Sequence, residues 1–252
     1  MQKAGYPVLD SSYYALAYEK AKEVVNSGAF SLFSSYADLR NQANENMGEF
    51  IFSIQREAEH AGNWIVSNCY PLTAPFIAHT VNNGGGFVPN QSFVDSYEEG
   101  PRKDAFFYTE YPSFEDPSVI VKFPPHIYKF FDDSSDALSK SRFGMDYWVI
   151  RYADILLLMA EAKAMADGGS TSDATAIEAY YQVRSRAVNG AEKPASITFE
   201  QVFKERIHEL AFENISWFDM TRVRKAYDPV QNRVVDIIGH VAEGHEKYAF
   251  TE

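Results

Sequence analysis

The chain has 252 residues, with 23 Lys and Arg against 35 Asp and Glu, a formal charge of −12 at pH 7. An apolar fraction of 46% is enough to bury a sizeable core, and the length fits one large domain or two small ones. The negative balance repels phosphate backbones and argues against nucleic acid as a partner; the single cysteine, Cys69, excludes an internal disulfide framework and any multi-cysteine zinc or iron–sulfur site.

The first predicted element is a helix. Tyr14, Ala17, Tyr18, Ala21, Val24 and Val25 recur at intervals of three and four, which places them on one stripe. Asp10 or Ser11 can receive its free N–H groups, and Gly28 supplies a left-handed stop. Phe50-Ile51-Phe52-Ser53-Ile54 reads as a short buried strand. From about Arg56 to Tyr147 no helical period is sustained. Gly84-Gly85-Gly86 and prolines 71, 75, 89, 101, 112, 117, 124 and 125 predict loops, short strands and one short helix around Gln91 to Tyr97. Stretches of this kind inside folded domains are usually functional. This one carries Trp64, Tyr70, Phe76, Phe87, Phe93, Tyr97, Phe106, Phe107, Tyr108, Tyr111 and Tyr128.

The remainder is predicted to be helical. Ile150 to Met165 is apolar on most faces and rich in alanine, as suits a helix packed between neighbours, and Gly168-Gly169 ends it. Ser170 with Asp173 can open a helix running to about Ala187. Thr198 and Gln201 form a capping-box pair ahead of the stripe Phe199, Val202, Phe203, Ile207, Leu210 and Ala211. A last short helix is expected from Trp217 to Tyr227, with Trp217 in the core, and Tyr248 to Glu252 reads as a strand start. Alanine-rich helix pairs joined by Gly turns are similar to tetratricopeptide packing. One pair and an isolated partner near Tyr14 fall short of the three repeats a free-standing solenoid needs, so further repeats are expected outside this chain. No run approaches the ~20 apolar residues of a membrane span. Met1 to Pro7 has no apolar stretch after its lysine, so the protein is either cytoplasmic or exported with a leader outside this chain.

Enzyme motifs fail on spacing. His208-Glu209 is followed by Phe212 where a zinc protease needs histidine, and no two histidines pair at helical spacing. A calcium loop starting at Asp132 would meet Ala137 in place of the glycine and Phe143 in place of the final glutamate. The triple glycine lacks a phosphate-loop lysine and a dinucleotide spacing, and Gly-x-Ser-x-Gly is absent. Two facing carboxylates among Glu57, Glu59, Asp95, Glu98, Glu99, Asp104 and Glu110 would suffice for a glycoside hydrolase; the alternative is that these acids are solvated surface charge. Arg151 and Asp154, Arg206 and Glu209, and Asp219 and Arg222 stand three apart and are expected to pair along their helices, fixing register.

The sequence from Arg151 to Ala162 (RYADILLLMAEA) resembles the helix signature of the SusD/RagB family, the outer-membrane nutrient-binding lipoproteins of Bacteroidetes-type bacteria. Further similarities follow in the family's order: Tyr181-Gln182-Val183-Arg184-Ser185-Arg186-Ala187, Glu205 to Glu213, Trp217-Phe218-Asp219-Met220-Thr221-Arg222 and, upstream, Val88 to Tyr97. Gly100-Pro101-Arg102 stands where the family usually has Asp-Pro-Arg. The resemblance covers about Tyr14 to Tyr227, the middle and C-terminal part of a longer pattern. It implies a mainly α fold, tetratricopeptide-like helical pairs forming a scaffold with a long irregular loop and short-strand insertion. The expected organisation is one domain, with a helical repeat remnant and strand at 1–55, a loop-rich ligand-binding region at 56–147, a helical scaffold at 148–228 and a tail at 229–252.

The resemblance also implies a non-catalytic role without cofactor or metal. Such a protein captures oligosaccharides or other nutrients on the external face of the outer membrane and delivers them to a SusC-like TonB-dependent transporter. Its membrane attachment is a lipid anchor absent from this chain. A helical scaffold that docks to the transporter without binding glycan is the second reading. Sugar rings stack apolar C–H faces on aromatic side chains while their hydroxyls bond polar groups. On that basis Trp64, Tyr70 and Phe87 are the candidate stacking platforms, and Asn63, Asn82 and Asn83 the candidate hydroxyl partners.

Overall fold

The computed structural model describes residues 1–72, 76–79 and 87–241. It contains α1 (Tyr13–Asn26), β1 (Phe50–Ile54), α2 (Trp64–Ser67), α3 (Gln91–Asp95), α4 (Pro101–Phe106), β2 (Phe107–Pro112), β3 (Ile120–Ile127), α5 (Ser135–Lys140) and β4 (Tyr147–Arg151). Then come α6 (Tyr152–Ala166), β5 (Ser170–Thr171), α7 (Ala174–Ala187), β6 (Ile197–Thr198), α8 (Phe199–Glu209), α9 (Ser216–Val223), β7 (Lys225–Asp228) and β8 (Arg233–Asp236). The chain divides into two compact units, Met1–Leu32 with Ile150–Glu252, and Phe33–Val149. The first boundary between the units falls after Leu32. The reason is aromatic: Phe33 packs edge-on against Phe50 at 5.5 Å and Tyr36 against Phe106 at 5.3 Å, which commits this segment to the loop-rich unit. The strand start expected at Tyr248, the glycine triplet, Asn82 and Asn83 lie outside the described residues.

In the helical unit α6 is the hub, packed against α1, α7 and α8. Ala153, Ala160, Ala162 and Ala164 are fully buried with Leu156 and Leu157, so small side chains bring the neighbouring helices close. Each buried leucine contributes about 1.5–3 kcal/mol. Strand β4 precedes this helix, and its Trp148 is buried against Phe50 and Phe130 within the other unit. Asp173 alone caps α7, accepting from the Ala176 N–H at 2.8 Å and from the Tyr18 hydroxyl of α1 at 2.9 Å. Ser170, expected to share that cap, instead pairs with Thr198 in the β5–β6 ribbon. Both bonds of the Thr198–Gln201 capping box are present at the start of α8. Helix α9 stops before the expected Tyr227 because Arg224 takes a left-handed backbone (φ 55°) and the chain turns into the β7–β8 hairpin. Trp217, expected in the core, is 55% exposed on α9.

Buried charge ties these helices together. Arg206 of α8 meets Asp219 at 2.7 Å, Asp154 at 2.8 Å and Glu161 at 3.5 Å, and Arg222 meets Glu161 at 2.6 Å and Asp219 at 2.8 Å. A second cluster joins Arg151 to Glu213 at 2.6 Å and to Glu209 at 3.4 Å, and Arg186 to Glu209 at 2.8 Å. Of the three expected local pairs Asp219–Arg222 forms. Arg151 belongs to a strand, where helical spacing does not apply, and Arg206 reaches across to α6 and α9. Burial pushes the Asp154 carboxyl above the usual carboxylate range, against the pull of Arg206. Burial acts the same way on Asp219, but Arg206 and Arg222 outweigh it and hold that carboxyl below the usual range.

The loop-rich unit has an aromatic core in place of helices. Strands β2 and β3 form an antiparallel hairpin with an irregularity between Tyr108 and Glu110. Tyr108 lies 5.0 Å from Phe123, 5.3 Å from Phe131 and 4.9 Å from Tyr128 between ring centres, and Tyr97 lies 5.0 Å from Phe107. Such pairs add about 0.5–1.5 kcal/mol each beyond their buried area. Tyr70, Tyr97, Phe106, Phe107 and Tyr108 are buried, whereas Trp64, Phe76 and Phe87 are exposed.

Candidate ligand-binding site

Helix α2 begins the site. Asn63 caps it, accepting from the Ile65 N–H at 3.1 Å and donating through Nδ2 to the Met145 carbonyl at 3.0 Å. Its side chain is 4% exposed and both polar ends are engaged, so Asn63 positions the helix instead of meeting a hydroxyl. The cap turns the next residue outward. Trp64 is 63% exposed, with the edge-on ring of Phe143 against it at 6.3 Å.

Tyr70 is corrected in the same way. It is 1% exposed, its ring lies between Phe131 at 5.1 Å and Phe143 at 5.9 Å, and its hydroxyl donates to the Asp132 carbonyl at 2.6 Å. Neither face is open to a sugar. Burial and the nearby negative charge of Asp132 push its hydroxyl well above the usual tyrosine range.

Phe87 is 47% exposed and stands near Trp64: its N–H donates to the Asn68 carbonyl at 3.2 Å, while Asn68 Nδ2 donates to the Trp64 carbonyl at 3.0 Å. The structure thus joins two of the three candidate platforms through one asparagine at the end of α2. Phe52, Phe76 and Phe114 are exposed rings of this unit that were not among the candidate platforms. Phe76 and Phe114 are linked by the bond from the Phe114 N–H to the Phe76 carbonyl at 2.9 Å, and Phe114 stacks obliquely on His79 at 5.6 Å.

The same unit holds a polar cleft of about 470 Å³, lined by Ala37, Arg40, Asn41, Gln42 and the run Phe131 to Ser134. Its carboxylate wall is fixed, because Asp132 accepts from Gln42 Nε2 at 2.9 Å and from the Ser134 N–H at 2.9 Å. Sequence spacing gives no reason to bring Arg40 and Asp133, far apart in the chain, to one cleft. In the helical unit a larger cavity of about 670 Å³ adjoins Asp154, Arg206, Asp219 and Arg222, but those charges already neutralise one another. Among the described residues no three His, Cys, Asp or Glu side chains gather as a metal site would require. Among them, too, no helix is long and apolar enough to cross a membrane.

An alanine-packed helical unit, with a second unit that turns aromatic rings and a guanidinium-lined cleft to solvent, has the build of a helical-scaffold binding module. The chain belongs to the SusD/RagB family. The SusD family model matches residues 122–246. A SusD superfamily protein from Parabacteroides distasonis superposes over 100% of this chain and 55% of its own, at 31% identity and a TM-score of 0.86. A SusD-like protein of Bacteroides ovatus is 24% identical over 231 residues, covering 84% of this chain and 41% of the relative. Surface glycan-binding protein A from Bacteroides thetaiotaomicron, solved with laminarihexaose, shares the fold at 19% identity and a TM-score of 0.63, over 84% of this chain and 50% of its own. The chain thus spans about half the length of these proteins or less.

Proposed function

We propose that this chain binds oligosaccharide without transforming it. Tetratricopeptide-like helical pairs serve as the frame, the loop-rich unit supplies the binding surface, and the ligand passes to a TonB-dependent transporter from the external face of the outer membrane. The observation that carries this reading is the exposed pair Trp64 and Phe87, held on either side of Asn68. Such rings offer an apolar platform to the C–H face of a pyranose, at little entropic cost for Trp64, which the Asn63 cap and the Phe143 ring already hold. The oligosaccharide held by a fold neighbour supports the ligand class, and family membership supports the surface location and the transporter.

The test is tryptophan fluorescence with laminarihexaose. Trp148 is 2% exposed and cannot meet a ligand, so saturable quenching reports on Trp64 or Trp217. Trp64→Ala is expected to lose the quenching and about tenfold or more in affinity, with Trp217 unaffected. Equal affinity in that variant would remove Trp64 as a platform, and release of reducing sugar would overturn the non-catalytic reading.

A second reading, a protein-docking scaffold, is favoured by one feature. Trp217 and Phe218 of α9 are 55% and 70% exposed in the helical unit. Transporter capture that ignores sugar and fails in Phe218→Ser would support it.

A further inference from the structure

The cleft at Arg40 has no part yet in the proposed function, and its chemistry is specific. Arg40 ends a 3₁₀ turn (Tyr36–Arg40) anchored by Tyr36 and Leu39, both buried. Its guanidinium lies over the ring of Tyr128, 3.9 Å from the centroid, which orients the donor plane. That plane takes part in no hydrogen bond or ion pair among the described residues, and Nε is buried with no partner. Facing the same space are Asp133, exposed and uncommitted, and Asp132, whose carboxylate is locked by Gln42 and Ser134. The Tyr111 hydroxyl is raised chiefly by burial; Asp133 adds to the shift and Arg40 opposes it, so both charges act on one neighbourhood.

A guanidinium donates only, and a carboxylate accepts only. A ligand that satisfies both at once must accept from one and donate to the other, as a sugar hydroxyl does. A carboxylate or phosphate could meet Arg40 but would be repelled by Asp132 and Asp133, in a chain of charge −12. We infer that this cleft is a hydroxyl-reading subsite for an uncharged sugar, in which Arg40 donates to the oxygens of a vicinal diol and Asp133 accepts from one of its hydroxyls. The inference rests on the oligosaccharide-binding reading and narrows it to neutral glycans, excluding uronate polymers from this subsite.

The test is calorimetric titration of the whole chain with two probes of equal length, laminarihexaose and hexagalacturonate. Arg40→Met, Arg40→Lys, Asp133→Asn and Trp64→Ala are compared with wild type. Neutral hexasaccharide is expected to bind more tightly than the uronate. Arg40→Met should weaken it roughly ten- to hundredfold, and Arg40→Lys should not restore it, because a point charge lacks the fork. Asp133→Asn lies on the surface and keeps the fold, and should lower neutral-sugar affinity about fivefold or more. If wild type binds laminarihexaose through Trp64 while the Arg40 and Asp133 variants match it within twofold, the subsite is wrong and the wider reading stands. If hexagalacturonate binds better, and better still in Asp133→Asn, the cleft reads carboxylates and the inference is overturned. If wild type binds neither probe, the oligosaccharide reading itself falls, and this subsite with it.

Discussion

Replacing Arg206 with methionine should unfold the helical unit's margin of stability more than any surface change. Arg206 is 2% exposed and lies within 3.5 Å of three carboxylates, those of Asp154, Glu161 and Asp219. Without it Glu161 and Asp219 keep the guanidinium of Arg222, while Asp154 loses the cation it meets. Removing one partner of a buried ion pair costs about 3–5 kcal/mol, most of it the penalty of stranding the other charge. Urea unfolding followed by far-UV circular dichroism reads this unit, because α1, α6, α7 and α8 all belong to it. Combining Arg206→Met with Asp219→Asn should cost about 1–3 kcal/mol less than the sum of the single changes.

The pH dependence has a definite sign. Asp219 is held below the usual carboxylate range, so its contribution exists above its unfolded pKa and is lost as pH falls through the lowered value. Asp154 runs the opposite way: its raised carboxyl favours the fold in acid, an advantage that fades as pH rises through the raised value. In the variant both acids lose the cation that opposed burial, and protonation relieves them. The deficit should therefore shrink between pH 7 and about 4, near the ordinary aspartate pKa. A deficit under about 1 kcal/mol at pH 7 would refute the reasoning, as would one that persists unchanged in acid.

Tyr70→Phe strands the buried Asp132 carbonyl and should cost about 1–3 kcal/mol in urea unfolding, while laminarihexaose affinity measured by Trp64 quenching stays within twofold; a loss of affinity without a loss of stability would return Tyr70 to the binding surface. Thr198→Ala removes one side of the capping box on α8 and should cost about 0.5–2 kcal/mol, measured by thermal or urea unfolding, with no change in sugar binding.

The helical unit was the more legible half of the chain because its signals are local. A stripe at helical spacing, a Thr198–Gln201 box and a Gly168-Gly169 stop each act within one turn, and α6, α7 and α8 follow them. Errors arose where a distant partner competed. Ser170 gave up its capping role to a strand pair with Thr198, and Arg206 left Glu209 for partners on α6 and α9. The short strands expected in the proline-rich stretch could not be placed, because Pro112, Pro124 and Pro125, read as loop punctuation, sit within or at the end of the β2–β3 ribbon, whose edges tolerate them.

The site was harder to read for a different reason: residue type does not say which way a ring faces. Trp64 and Tyr70 stand six positions apart, and both suit a sugar platform. The fold separates them by hydrogen bonding. The Tyr70 hydroxyl has a buried carbonyl to reach and draws its ring inward, whereas the Asn63 cap leaves Trp64 at the outer edge of a single helical turn. The same difficulty misplaced Trp217, expected in the core although α9 turns it to solvent. An aromatic in a loop-rich unit is free for a ligand only when the core needs neither its ring nor its polar end. Among the described rings of that unit Phe52, Trp64, Phe76, Phe87 and Phe114 meet the exposure part of that condition, and Trp64 and Phe87 meet it at one helix end.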